Sequence, residues 1–157
     1  MAAEDSVASQ GTELFLSADG TAVIKFSCPT GISGLGGGAD QIDKTCLDST
    51  EREFARGFKS PAALTVPFIL LPTDASHQTI LTDLDESGDV VDWMIALSDG
   101  TADPTITTGV WTVPTARTSV HFKGYVSDVT IDVASNDVVK GTLTIQRTGG
   151  KTWTFAA

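Results

Sequence analysis

The sequence predicts a mainly β fold, a β-sandwich or barrel with one flanking α-helix. Short segments in which apolar and polar residues alternate recur along the chain and are separated by turn signals, as in antiparallel β-proteins. One segment alone, which begins near Asp74, has the apolar spacing of a helix. The 157 residues suffice for one domain with its own core. We expect a flexible N-terminal arm at 1–11 and a single domain at 12–157.

The first elements are predicted to form a hairpin. Segments 12–17 and 21–27 alternate in polarity and flank Asp19-Gly20, a strong turn dipeptide. The glycine-rich segment 31–38 then reads as a flexible loop. It lacks the lysine and the spacing of a phosphate-binding loop, so a nucleotide site is not supported.

Residues 40–60 are polar and dense in charges of alternating sign, with no strong turn signal before Gly57. Loops longer than about 12–15 residues are uncommon in compact domains and usually carry function. A short strand is expected at 41–47. We therefore interpret 40–60 as an arm that contacts another molecule, and we call it the arm below.

An alternating apolar strand follows Pro61, and a helix follows that strand. Pro67 has no N–H, so the strand is expected at a sheet edge or with this nitrogen facing away from its neighbour. Asp74 is predicted to cap the helix and Gly88 to end it. His77 is predicted to be a partly buried helix residue. The apolar stripe of the helix consists of Ile80, Leu81 and Leu84.

The remaining chain is predicted to be almost entirely β. Segment 91–97 places Trp93 on a core-facing side, and 105–113 reads as one strand. In 119–134 the apolar positions change parity near Ser127, which predicts a β-bulge. A turn at Asn136-Asp137 and a separate short strand after Gly149-Gly150 complete the chain.

The charge is strongly acidic and unevenly distributed. Twenty Asp and Glu residues oppose ten Lys and Arg residues, for a net charge of −10. Such a surface repels phosphates, which disfavours sequence-specific DNA binding. Its excess charge serves either solubility or passage close to DNA without adhesion. The stretch 61–116 contains no Lys or Arg and the following acids: Asp74, Asp83, Asp85, Glu86, Asp89, Asp92, Asp99 and Asp103.

No catalytic, metal or cofactor site is predicted, because the sequence lacks nucleophile-elbow, zinc-protease, CxxC and P-loop motifs. His121 lies within an alternating strand and is expected to face solvent. Cys28 and Cys46 are expected to be buried or half-buried small residues. The sequence shows no signal peptide and no apolar run long enough for a membrane span, so the chain is expected to remain in the cytoplasm where it is made.

The arm and its surroundings resemble the signature of tail tube proteins, also called major tail proteins, of long, non-contractile phage tails. The family pattern is ID-x-T-x-LDS-x-x-REF-x-x-G after a glycine-rich loop. Later segments around 93–100 and 122–131 also resemble that family. Lys44 and Cys46 depart from it. The matching positions are Ile42, Asp43, Thr45, Leu47, Asp48, Ser49, Arg52, Glu53, Phe54 and Gly57.

The resemblance implies a structural virion protein, not an enzyme, whose hexameric rings stack into a hollow tube for DNA ejection. It is expected to be assembled in the host cytoplasm. Implied partners are further copies of the chain, a tape measure protein, the tail tip or initiator, the tail terminator, and DNA that passes without specific binding. No membrane is implied. Expected inter-subunit contacts are Ile42, Asp43, Thr45, Leu47, Asp48, Arg52, Glu53, Phe54, Arg56, Gly57 and Phe58.

An alternative interpretation is an Ig-like β-sandwich binding module, such as a carbohydrate-binding or adhesin domain. Trp93, Trp111 and Trp153 would then form a platform for a sugar, although Trp93 is predicted to face the core. Self-assembly distinguishes the two interpretations, since a binding module remains monomeric.

Overall fold

We describe the protein from a computed structural model that covers residues 6–157. Residues 1–5 of the predicted N-terminal arm lie outside this range. The helical segment comprises α1 (Ala75–Thr79), a π-helical turn (Ile80–Leu84) and α2 (Asp85–Ser87). The strands are β1 (Glu13–Ser17), β2 (Ile24–Phe26), β3 (Ala39–Asp43), β4 (Phe54–Lys59), β5 (Ala63–Ile69), β6 (Val91–Ala96), β7 (Thr105–Thr107), β8 (Val110–Thr112), β9 (Ser119–Asp132) and β10 (Lys140–Thr154).

Six strands form an antiparallel sheet in the order β2-β1-β6-β9-β10-β5, while β3 pairs with β4 and β7 pairs with β8. The prediction of a mainly β fold with one flanking helical segment is confirmed. β5 lies at the sheet edge, and the Pro67 carbonyl accepts a hydrogen bond from the Thr30 amide at 2.8 Å. Since the nitrogen and carbonyl of a strand residue point to the same side, the Pro67 nitrogen faces away from β10, as predicted.

The sheet curls toward a barrel without closing. Phe26 on β2 and Phe68 on β5 belong to opposite edge strands, yet their rings meet edge to face at 5.3 Å. The glycine-rich segment fills the remaining gap, since Ser33 exchanges backbone hydrogen bonds with Thr65 at 3.0 and 2.8 Å. Gly34 has a φ of +99°, and a Cβ there would overlap the Ala63 carbonyl oxygen. The expected flexible loop is therefore an irregular strand held against β5.

The core lies between the curled sheet and the helical segment. Trp93 is its largest fully buried side chain, and its indole N–H donates to the Gly124 carbonyl at 3.1 Å. Its predicted core-facing position is confirmed. Ile80 and Leu84 supply the helical contribution to this core, whereas Leu81 is only half-buried. Such a core supplies most of the stabilising apolar burial.

The helix limits agree with the sequence signals. The Asp74 carboxylate accepts from the Ser76 amide at 2.9 Å, and Gly88 ends the helix with a left-handed φ of 66°. His77 is buried rather than partly exposed, because its ring nitrogens bond the Leu71 amide and the Ser27 carbonyl. This imidazole joins β2 to the helix.

The long strands contain the predicted bulge and one that the sequence did not reveal. Val126 pairs with Ile145 and Asp128 with Thr144, so Ser127 is the extra residue of a bulge in β9, as predicted. The separate final strand is a wrong prediction. β10 instead continues through Gly149 and Gly150, which form a second irregularity between Thr148 and Lys151.

The predicted single strand at 105–113 is also wrong. Thr108 and Gly109 both have positive φ, so the chain reverses there and forms the β7–β8 hairpin. This hairpin region places Trp111 over His121, with ring centroids 5.4 Å apart. His121 is consequently half-buried rather than facing solvent, and burial lowers the pKa of its imidazole. Cys28 and Cys46 are both exposed, contrary to the expected burial, because they lie in connections outside the core.

Arg117 is a buried cation that joins the chain before β1, the start of β1 and the segment between β6 and β7. Its guanidinium donates to the Gly11 and Ala102 carbonyls at 3.2 Å each and lies 3.6 Å from the Glu13 carboxylate. A second carboxylate, from Asp103, lies at 4.0 Å. The positive charge is therefore matched within the chain, as a buried charge requires.

Candidate assembly surface

The arm is a two-stranded antiparallel hairpin that extends from the sheet. Neither β3 nor β4 packs against another strand or helix of the described chain. Every β3 residue is exposed, and in β4 only Ala55 and Gly57 are half-buried. An isolated hairpin is marginally stable in water, so this element is suited to packing against something else.

Local hydrogen bonds order the connection between β3 and β4. The Thr45 hydroxyl accepts from the Glu53 amide at 2.9 Å, and the Lys44 amide donates to the Glu53 carbonyl at 3.0 Å. The Asp43 carboxylate accepts from the Thr45 amide at 2.9 Å, and hydrogen bonds from Thr45 lower the pKa of Asp43. These polar contacts shape the hairpin but bury no apolar surface.

Large apolar side chains of the arm are open to solvent. The exposed fraction is 89% for Phe58, 47% for Phe54 and 54% for Ile42. Leu47, in the β3–β4 connection, is fully exposed. Ordinary surfaces carry single exposed apolar residues, so four on one small hairpin make it a candidate interaction site.

The structure brings all eleven predicted contact residues into this one hairpin and its connection. Asp43 pairs directly with Phe54, and Ile42 pairs with Ala55. A register shift at the base of the hairpin places Gly57 so close to Asp40 that a Cβ there would lie 3.1 Å from the Asp40 carbonyl oxygen. Asp48, Arg52 and Arg56 are exposed and form no ion pair within residues 6–157. Their roles at an interface remain a prediction.

Two open strand edges accompany the arm, and sequence patterning did not reveal them. Among residues 6–157, β6 pairs only with the first part of β9, which leaves 125–132 of β9 without a strand on that side. In the same described range, β5 pairs only with the first part of β10, which leaves 147–154 unpaired on the opposite side. Both open edges belong to one long hairpin, and each can accept a strand from another chain.

Half of the acids in 61–116, the stretch without Lys or Arg, contact other groups of the fold. Asp74 caps the helix, Asp99 accepts from the Thr118 amide, Asp92 lies beside His121, and Asp103 faces Arg117. The other half lies at the C-terminal part of the helical segment, exposed and without an ion pair in the described chain. These residues are Asp83, Asp85, Glu86 and Asp89.

The tryptophans do not form a common platform. Trp93 is in the main core, Trp111 packs with Phe15 on the other face of the sheet, and Trp153 stacks on Phe155 near the chain end. Within residues 6–157 no group of acidic, histidine or cysteine side chains is arranged to hold a metal ion. No described helix combines the length and apolar character of a membrane span.

Comparison with known proteins supplies the family. A model of the family described as "Phage tail tube, TTP, lambda-like" matches residues 5–157. "Structural protein 3" of Pseudomonas phage PAJU2 is 34% identical over 155 residues, which cover 95% of this chain and 94% of that protein.

Solved structures share the fold at low sequence identity. The SPP1 tail tube protein is 12% identical with a TM-score of 0.66, and the match covers 96% of this chain and 80% of that one. A chain from the tail of an empty gene transfer agent particle, refined with C6 symmetry, is 14% identical with a TM-score of 0.66. That match covers 97% of this chain and 100% of the other. The family model and the 34% identical phage protein show that the chain belongs to the lambda-like phage tail tube family and is a structural protein of the virion tail, not an enzyme.

Proposed function

We propose that this chain forms hexameric rings that stack into the hollow tube of a long, non-contractile phage tail, through which DNA passes into the host. The observation that carries the proposal is the arm, a hairpin with four exposed apolar side chains and no packing partner within the described chain. In a polymer of identical subunits, the partner that this surface lacks is a further copy.

The open edges favour lateral joining into a ring. Residues 125–132 of one subunit and 147–154 of the next would each present about 26 Å of unpaired backbone. Because these edges lie on opposite sides of the same hairpin, joining one to the other is a heterologous contact that repeats around a ring. Six copies close the ring in this proposal, which also removes the exposed edges.

The arm is then available for contact between rings. The six residues of β4 span about 20 Å, which is enough to reach a neighbouring subunit. Phe54 and Phe58 would enter apolar pockets of that neighbour, and Arg52, Glu53 and Arg56 would fix its register. Apolar anchors surrounded by charged residues are typical of protein interfaces.

The acidic balance suits a conduit for DNA. A net charge of −10 per subunit opposes adhesion of the phosphate backbone. At physiological ionic strength this repulsion acts over about 8 Å, so it concerns DNA already inside the tube. No specific contact with DNA is required of the subunit.

A tube of repeating rings also needs different proteins at its two ends and a means of setting its length. We propose that a tip or initiator complex, a tail terminator and a tape measure protein serve these roles for this chain. Solved structures that share the fold include the tube-terminating cap of the anti-feeding prophage and the sheath/tube terminator of an extracellular contractile injection system.

A shortened arm tests the proposal. Asp43 and Phe54 are directly paired, so Asn-Gly can replace residues 44–53 and close the hairpin with a two-residue turn. We expect the shortened chain to remain a folded subunit by circular dichroism but to form no tubes in negative-stain micrographs. Leu47→Met, which keeps the exposed apolar side chain, should polymerise like the wild type.

Polymerisation by the shortened chain would contradict a role of residues 44–53 in stacking, while the anchors Phe54 and Phe58 are tested by their own substitutions. Wild-type protein that remains monomeric at every concentration, even with its tail tip complex, would contradict tube formation itself. That outcome would favour the Ig-like binding module.

A further inference from the structure

Arg147 is a buried cation without a counter-charge in the part of the chain that the structure describes. Its side chain is on β10, only 4% of the residue is exposed, and its Nε has no hydrogen-bond partner in the described chain. One amino group donates to the Gly36 carbonyl. No ion pair joins Arg147 to a carboxylate within residues 6–157. Burying a charge in this way is unfavourable unless an anion compensates for it.

Arg147 lines an open pocket with two further cations. Lys59 ends the arm strand β4, Lys151 follows the irregularity in β10, and the pocket has a volume of about 670 Å³. Burial and then the charges of Lys59 and Arg147 lower the pKa of Lys151. Neither lysine forms an ion pair in the described chain. The pocket therefore gathers three unmatched positive charges.

The backbone of β10 makes this pocket. Gly149 has a φ of +75°, and Gly149 and Gly150 lie between two residues that both pair with β9. A Cβ at either glycine would meet no atom within 4 Å, so the pocket is open above them. Such a bulge changes the direction of the side chains that follow it, here Lys151 and Trp153.

A complementary surface lies elsewhere on the same chain. A groove between the β1–β2 turn and the helical segment is lined by Asp19, Asp83, Glu86 and Asp89. None of these acids forms an ion pair within residues 6–157. The chain carries ten more acidic than basic residues, so three bases in one pocket are unusual. Their positive charges make this pocket a candidate site for carboxylates.

We propose that the Lys59–Arg147–Lys151 pocket binds the carboxylates of Asp83, Glu86 and Asp89 of a second copy of this chain. This inference rests on the proposed tube. The pocket adjoins the open edge at 147–154 and the base of the arm, so one contact secures both assembly elements. A second copy is favoured because every subunit carries both the basic pocket and the acidic groove, so the opposite charges are available at each contact between copies.

A charge exchange tests the pairing. Lys59→Glu with Lys151→Glu, and separately Asp83→Lys with Glu86→Lys, should each raise the concentration needed for tube formation at least about tenfold while the subunit remains folded. The four changes together should restore polymerisation to near the wild-type concentration. The exchanged chain keeps the wild-type net charge of −10, so bulk charge does not explain the recovery. Lys25→Glu with Lys140→Glu reaches the same net charge as the pocket variant and should polymerise better than it, although these two lysines pair with Glu13 and Asp137 in the subunit.

The remaining outcomes separate this inference from the proposed function. If wild-type tubes form and the pocket variant polymerises equally well, the pairing is wrong while tube formation stands. Two defective pairs without recovery in the exchanged chain would also overturn it. Binding of a fluorescent DNA duplex that disappears in the pocket variant, with no effect on polymerisation, would assign the pocket to nucleic acid instead. Wild-type protein that forms no tubes would overturn the proposed function itself.

Discussion

The curled sheet and the arm differ in whether their side chains find partners within the chain. In the sheet, Trp93 is fully buried and its N–H has a carbonyl partner, and the charge of Arg117 is matched by nearby acids. In the arm, Phe58 is 89% exposed. Within the described chain the sheet buries its large apolar side chains, whereas the arm leaves its own exposed to solvent.

The two buried arginines differ in the same way, one having partners for its charge within the described chain and the other not. Arg117 has backbone carbonyls and carboxylates around its guanidinium, while Arg147 has one carbonyl and no carboxylate within the described chain. A group that the chain satisfies by itself contributes to folding. A group that it leaves unsatisfied is available to assembly. Substitutions in the two regions should therefore separate subunit stability from polymerisation.

The largest loss of subunit stability is expected for Trp93→Ala. Removal of this fully buried ring leaves a cavity in the main core and the Gly124 carbonyl without its donor. We expect the free energy of unfolding to fall by about 3–5 kcal/mol, measured by urea denaturation of the monomer. Trp153→Ala is the control, because that ring is 41% exposed and should cost much less. Equal losses would contradict the assigned core.

A smaller but still large loss is expected for Arg117→Met. The substitution keeps much of the side-chain volume but leaves several carbonyls without donors and Glu13 without its buried partner, at a cost of about 3 kcal/mol. Arg147→Met should change monomer stability far less, because that guanidinium lacks a carboxylate within residues 6–157. A larger loss for Arg147→Met than for Arg117→Met would reverse the comparison.

Asp74→Ala is expected to cost about 1 kcal/mol through loss of the helix cap. Hydrogen bonds from Ser76 and Ser27 lower the pKa of Asp74 from 3.8 to about 2. Since the unfolded chain binds the proton more tightly, this contribution is present above about pH 4 and is lost as the pH falls toward 2. Asp74→Asn keeps a capping oxygen and should flatten the acid limb of stability against pH. An unchanged acid limb would contradict the assigned role.

The smallest effect on the monomer is expected for Phe58→Ser in the arm. Its side chain is almost fully exposed, so the free energy of unfolding should change by less than about 0.5 kcal/mol. Tube formation should nevertheless fail, and Phe58→Leu should retain it. Phe54→Ala should behave in the same way with a weaker assembly defect. A large fall in the melting temperature of the monomer would instead assign these rings to the core of the subunit.

Local signals in the sequence predicted much of the fold. Asp74 and Gly88 predicted the helix limits, Pro67 predicted an edge strand, and the parity change at Ser127 predicted a bulge. Each of these depends on the chemistry of one residue and its neighbours. The sequence also predicted that 40–60 lies outside the core, because polar segments of that length rarely belong to one, while its contact with another molecule stays a prediction.

Features that depend on distant pairing were not predictable from the sequence. Thr108-Gly109 is a weak turn signal, and the Gly109 amide donates to the carbonyl of the distant Gly20 at 3.1 Å. Whether Gly149-Gly150 ends or bends a strand depends on the register with β9. The burial of Arg117 and Arg147 is set by residues far away along the chain. The open edges likewise become visible only when the lengths of paired strands are compared.

The exposure of Cys28 and Cys46 has a practical consequence. One thiol is on the body of the subunit beside β5, and the other is at the end of the arm. Alkylation of free subunits and of tubes, followed by proteolytic digestion, therefore compares the accessibility of both thiols in one experiment. Loss of labelling at Cys46 alone would map where a neighbouring ring covers the subunit, with the native side chains as reporters.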